Sequence, residues 1–145
     1  TWYTSLDSVV TISNETKKPI FGFFTGSDWC GWCIKLQKNV FAKQAFIDWA
    51  SESVVLLELD FPRSVPQSTE LKTQNQNLQR AFAVNGYPTV WIFTAVKDAT
   101  TANFNLTAWG KLGYPAGPDV VAGKEEVKFL ADAAAVMAKD PAKAN

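Results

Sequence analysis

Phe24-Thr25-Gly26-Ser27-Asp28-Trp29-Cys30-Gly31-Trp32-Cys33 contains both cysteines of this 145-residue chain. Ahead of the cysteines, Ile20 to Phe24 is a short apolar run bounded by Thr25-Gly26-Ser27, the pattern of a buried strand closing in a turn. From Cys33 onward, Ile34, Leu36, Val40 and Phe41 are interleaved with Lys35, Gln37, Lys38 and Asn39, as on a helix. Two cysteines placed at random in this length would stand three apart roughly once in 70. A structural zinc site needs two further ligands, and a disulfide-stapled scaffold needs at least four cysteines. Ile34 stands where haem attachment would require histidine. The pair is left as a redox couple, half of an intermolecular metal site, or a coincidence.

Composition narrows the class. Apolar residues make up 47% and charged residues 19%, as in a globular chain of about one domain. Fourteen basic residues balance 14 acidic ones, so the basic excess of a nucleic-acid binder is missing. There is no histidine, which removes Ser-His-Asp and Cys-His catalysis and histidine-ligated zinc or haem. Apolar runs such as Val54-Val55-Leu56-Leu57 fall far short of the roughly 20 residues that cross a bilayer. No charged-then-apolar leader opens the chain, which begins at Thr1; a soluble mature chain without membrane insertion is expected.

Outward from the cysteines, Ser5 to Lys18 reads as a helix with a Leu6, Val9, Val10, Ile12 stripe, capped by Ser5 and stopped by Pro19. A second helical piece spans about 43–51, and Val54 to Asp60 is a strand closed by Phe61-Pro62. Ser64 to Gln79 reads as a polar loop running into an exposed helix that ends near Asn85-Gly86, with the amides of Thr73 to Gln79 on a solvated face. Thr89 to Thr94 and Phe104 to Trp109 are strands. Asp119 is expected to cap a last helix whose buried face is Val127, Leu130, Ala131, Ala134 and Met137. The tail is expected to fray from about residue 141. Asn14-Glu15-Thr16 and Asn105-Leu106-Thr107 match the glycosylation sequon, a pattern common by chance, and carry no assignment.

Trp29-Cys30-Gly31-Trp32-Cys33 after a buried strand, with Gly86-Tyr87-Pro88-Thr89 about fifty residues on at a strand start, resembles the active site of the thioredoxin superfamily. The wider run from Phe24 is similar to secreted or periplasmic bacterial thioredoxin-like disulfide reductases and isomerases. The resemblance implies one α/β domain over 1–145: a three-layer sandwich with a central mixed sheet flanked by helices and a cis proline at Pro88. It implies dithiol–disulfide exchange by Cys30 and Cys33, no cofactor, protein disulfides as substrates and a separate redox partner. It also implies a periplasmic or secreted monomer; the reductase or isomerase direction stays open.

The chemistry suits the spacing. A Cys30 thiolate at a helix start meets unpaired N–H groups worth roughly 0.3–2 kcal/mol, or up to about 1.5 pK units. Cys33, one turn on, resolves the mixed disulfide. Trp29 and Trp32 are expected to form an apolar rim around Gly31, and the Tyr87 backbone to pair with substrate. Gly110 and Gly113 resemble the glycine-bearing loop that approaches the active site in this superfamily.

The resemblance has one departure. Thioredoxins proper usually carry a buried carboxylate six positions before the first cysteine, which here is Phe24, and a basic partner that would fall near Leu56. Without that pair, Glu58 is the candidate proton relay, because it shares a strand face with Leu56 nearer the strand's C-terminal end. The competing readings are a non-catalytic binding module on the same scaffold and a soft-metal carrier using the two thiolates.

Overall fold

The computed structural model describes residues 1–101 and 103–141, and the expected fraying tail beyond Pro141 lies outside them. The elements are β1 (Trp2–Tyr3), α1 (Leu6–Thr16), β2 (Ile20–Thr25), α2 (Gly31–Leu36) continuing into a π-helical segment (Gln37–Phe41), α3 (Gln44–Ser53), β3 (Val55–Asp60), α4 (Thr69–Ala81), β4 (Thr89–Lys97), β5 (Phe104–Leu112) and α5 (Glu125–Met137). One sheet runs in the order β1-β3-β2-β4-β5. β1, β3 and β2 are parallel, and β4 and β5 follow antiparallel. Helices cover both faces, giving the expected three layers around a mixed sheet.

β2 is the central strand, and all six of its residues are buried. Because strand side chains alternate, Phe21 and Phe23 enter one cluster with Cys33, Leu36, Phe41, Phe46 and Phe129, while Ile20 and Phe24 enter the other with Leu59, Leu78 and Phe82. Phe21, Phe23, Phe41 and Phe46 meet mostly edge-on, at centroid spacings of 4.7–5.8 Å, a geometry that adds to burial.

Several expectations are corrected. Trp2–Tyr3 forms an edge strand on Leu56 and Leu57 that two residues could not announce by periodicity. The helix after the cysteines begins at Gly31 rather than Cys33, and α4 ends at Ala81. Asp119 does not cap α5: the helix starts at Glu125 after Lys124. Turns closing at Val120 and Lys124, with Gly117 and Gly123 at φ 103° and 84°, absorb the residues between. The buried face of α5 is Phe129, Ala133 and Val136, with Val127 exposed. That face lies one residue around from the alanine-weighted stripe, because Phe129 anchors in the aromatic cluster and Val136 packs against Gly110, where a Cβ would lie 3.0 Å from it.

The amides of α4 are also not simply solvated. Asn75 is buried and donates to the Asp60 carbonyl at 3.0 Å. Gln74 accepts from Leu6 N–H and donates to Thr4 O, so it staples α1 to α4. An amide carries both donor and acceptor, which suits it to the loose backbone groups where strands end.

Candidate active site

β2 delivers the chain to the C-terminal edge of the sheet, where Gly26 turns it. Trp29 N–H and Cys30 N–H both donate to Gly26 O. A Cβ at Gly26 would overlap the Trp29 indole, so only glycine fits that close approach. The indole is held from three sides. Its Nε1 donates to Phe61 O at 2.7 Å, Tyr87 meets it edge-on at 5.4 Å, and the Arg63 guanidinium stacks 3.8 Å from the ring centroid.

Cys30 is the N-cap of α2, and Cys33 N–H donates to Cys30 Sγ at 3.2 Å. The two cysteines are disulfide-bonded, with Cα atoms 5.3 Å apart. Cys33 is fully buried, and Cys30 is the outer of the two at 6% exposure. Unpaired amides at a helix start favour negative charge on the sulfur they face. The arrangement supports a stabilised thiolate at Cys30 and a shielded thiol at Cys33.

The tryptophans flank the sulfurs unequally. Trp29 is half-buried, whereas Trp32 is 56% exposed, edge-on to Tyr114 at 5.0 Å and capped by Lys35 at 4.3 Å. Nothing lies within 4 Å of a Cβ placed on Gly31, so packing does not demand glycine there. Opposite, the Tyr87–Pro88 peptide is cis, and Tyr87 Oη accepts from Gln79 at 2.6 Å. A Cβ placed on Gly113 would lie 4.0 Å from Pro88 O, ordinary contact, while Gly110 lies inside β5 and serves α5 packing instead.

Glu58 is half-buried in β3 beside Phe23. With Trp2, Phe23, Gln37 and Phe41 it lines a cavity of about 260 Å³ on the sheet face that carries Cys33. Burial first, and the Asp60 charge second, push its carboxyl above the usual range. Phe24 and Leu56, the two positions of the missing ion pair, lie on opposite faces of this sheet. Phe24 instead fills the apolar cluster with Leu59 and Phe82.

Three residues of this neighbourhood escaped sequence reasoning. Asp28 accepts from the N–H groups of Arg63, Ser64 and Val65. Those bonds, Arg63 first, hold its carboxyl below the usual range. Asp28 thereby pins the loop that carries Arg63. The third is Tyr114. An aspartate in a turn was the available signal for Asp28; Arg63 and Tyr114 come from distant loops and had none.

A family model for a thioredoxin-like domain matches residues 6–102. The disulfide bond reductase DsbH of Chlamydia pneumoniae is 34% identical over 102 residues, 70% of this chain and 61% of that protein. The thioredoxin-related protein DsbJ of the same organism is 30% identical over 87 residues, 60% of this chain and 25% of that protein. The chain therefore spans less than two thirds of the length of either curated relative. Among solved structures, a DsbH oxidoreductase superposes with a TM-score of 0.71 at 26% identity, covering 93% of this chain and 83% of that one. A thioredoxin from Thermus thermophilus gives 0.65 at 17% identity, over 99% and 92% of the two chains, and speaks for the fold alone. Since the matched residues run from α1 to beyond β4 and enclose both cysteines, the chain belongs to the thioredoxin-like domain family.

Proposed function

We propose that the chain is a thiol–disulfide oxidoreductase that reduces disulfides of protein substrates. One observation carries the reading: Cys33 N–H points at Cys30 Sγ from the first turn of a helix, with Cys33 buried behind it. The Cys30 thiolate attacks one substrate sulfur, forming a mixed disulfide and releasing a substrate thiolate. Cys33 then gives up its proton and attacks Cys30 Sγ, which closes the Cys30–Cys33 bond and releases the second substrate thiolate. The substrate gains two electrons, and the protein dithiol becomes the disulfide.

Trp29, Trp32 and Tyr87 form the apolar rim that receives an extended substrate, and Gly31 keeps the approach to the sulfur open. The Tyr87 backbone precedes Pro88 and the first ladder pair of β4, Phe24 with Thr89, which suits pairing with a substrate strand. Glu58, on the sheet face that carries Cys33, takes the Cys33 proton. The reducing direction draws support from the likeness to the Chlamydia pneumoniae disulfide bond reductase. The protein works in the periplasm or outside the cell, as a monomer, and a separate thiol partner re-reduces it. No helix among the described residues is long and apolar enough to cross a membrane.

Insulin reduction coupled to a dithiol reductant tests the activity. Turnover is expected with the native chain and loss of turnover with Cys30→Ser and Cys33→Ser; an inactive native chain overturns the reading. Equilibration with glutathione tests the direction. A potential toward the thioredoxin value of about −270 mV is expected, and one near the −120 mV of a strong oxidant would reverse it.

A further inference from the structure

Thr25 ends β2 immediately before the turn into the cysteines. Its side chain is fully buried, and its Oγ1 has no hydrogen-bond partner while Cys30 and Cys33 are joined. A buried hydroxyl without a partner is unfavourable, so its presence calls for an explanation.

Side-chain alternation puts Thr25 on the face of Phe21 and Phe23, which is the face of Cys33. The helix that starts at Gly31 runs back over this face. Its Phe41 ring sits 4.9 Å from Phe23 and 5.8 Å from Phe21, between their levels. Cys33 lies eight residues up that helix, a rise of at most about 12 Å, since Gln37–Phe41 is π-helical and rises less per residue. Three to four strand residues at about 3.3 Å each cover the same distance, which brings Cys33 level with Thr25. The neighbouring Asp60 carboxylate on β3 is already engaged by Ser27 N–H and Oγ.

From this placement we infer that Thr25 Oγ1–H is the hydrogen-bond donor to Cys33 Sγ in the reduced protein, and that Thr25 biases the cysteine pair toward the dithiol. The inference rests on the proposed thiol–disulfide chemistry. In the disulfide the hydroxyl is unmet. When the S–S bond opens, Cys33 Sγ is freed from Cys30 to turn toward the hydroxyl, and it offers that donor two lone pairs as a thiol and three as a thiolate. Two glutathione thiols deliver the two electrons and two protons: the Cys30–Cys33 bond breaks, the glutathione disulfide forms, and the protein becomes the dithiol. Thr25 favours the product side of that exchange.

The test is the equilibrium of the native chain, Thr25→Val, Thr25→Ser and Thr25→Ala with the glutathione couple at pH 7, together with thermal unfolding of the oxidised and reduced forms. Valine keeps the shape and removes the hydroxyl, so its equilibrium constant is expected to move about tenfold toward the disulfide, a potential about 30 mV more negative. Alanine should move it the same way, and serine should stay near the native value. Oxidised Thr25→Val should melt no lower than the native oxidised form, while its reduced form melts lower. An unchanged equilibrium constant in Thr25→Val and Thr25→Ala, or equal destabilisation of both redox forms, makes Thr25 a packing residue and overturns the inference. A native chain that never exchanges with glutathione instead overturns the oxidoreductase reading beneath it.

Discussion

Cys33 N–H donates to Cys30 Sγ across 3.2 Å, so the backbone of the inner cysteine already faces the outer sulfur on which charge would develop when the disulfide opens. A hydrogen bond to an ionised acceptor is stronger than one between neutral groups. The bond therefore favours a thiolate at Cys30 over one at Cys33, and the proposed division of attack and resolution rests on it.

In the reduced protein, iodoacetamide at neutral pH should label Cys30 well before Cys33. Cys33→Ser should accumulate mixed disulfides with a protein substrate, and Cys30→Ser should not. Faster labelling of Cys33 would reverse the assigned roles.

Gly26→Ala should destabilise the fold, since the added methyl meets an indole held by Phe61, Tyr87 and Arg63. Overpacking of this kind costs about 1–3 kcal/mol. Urea unfolding gives the stability, and Trp29 emission reports the displaced ring. A midpoint equal to that of the native chain would mean that the turn yields freely.

Asp28 tests the loop that carries Arg63. Its carboxyl is held below the ordinary value of 3.8 by the three amides it accepts from. A depressed carboxyl contributes stability above its unfolded pKa and loses it as pH falls through the folded one. Amide exchange at Arg63, Ser64 and Val65 should accordingly rise as pH drops below about 4, after correction for the intrinsic rate. Asp28→Asn should show weaker protection near neutrality and none of that acid dependence. Equal protection in both proteins at all pH values would separate Asp28 from the loop.

Glu58 carries the opposite sign. Its carboxyl is raised by burial and by Asp60, so its contribution to stability is complete below the unfolded pKa and declines as pH rises through the folded one. Glu58→Gln should be at least as stable as the native chain at pH 7. If Glu58 accepts the Cys33 proton, the variant should also resolve mixed disulfides more slowly, with the pH profile moved upward and the Cys30 attack unchanged. An unaltered resolution profile assigns Glu58 a structural role alone.

Much of the centre was legible in the sequence because it is local. Ile20 to Thr25 is apolar and β-forming, Gly26 breaks it, and Cys30 to Cys33 spans one helical turn, so strand, turn and sulfur spacing follow from neighbours in the chain. The stripe of α5 was misread by one residue because alanines tolerate either face. Phe129 and Gly110 decide that face, and they meet only when the helix docks on the sheet.

By itself the sequence determined the order of strands and helices from α1 onward, through backbone propensity, together with the Cys-Gly-Trp-Cys spacing and the absence of histidine chemistry. Tertiary structure alone decided which residues surround the sulfurs. Asp28 holds a loop 35 to 37 positions away, Arg63 stacks on Trp29, Tyr114 meets Trp32, and Gln79 binds Tyr87. Phe24 and Leu56 fell on opposite faces because the strand pleat, rather than nearness in alignment, sets what a side chain meets. Such contacts depend on closing long loops over a packed sheet, and no local pattern of residues encodes the partner across them.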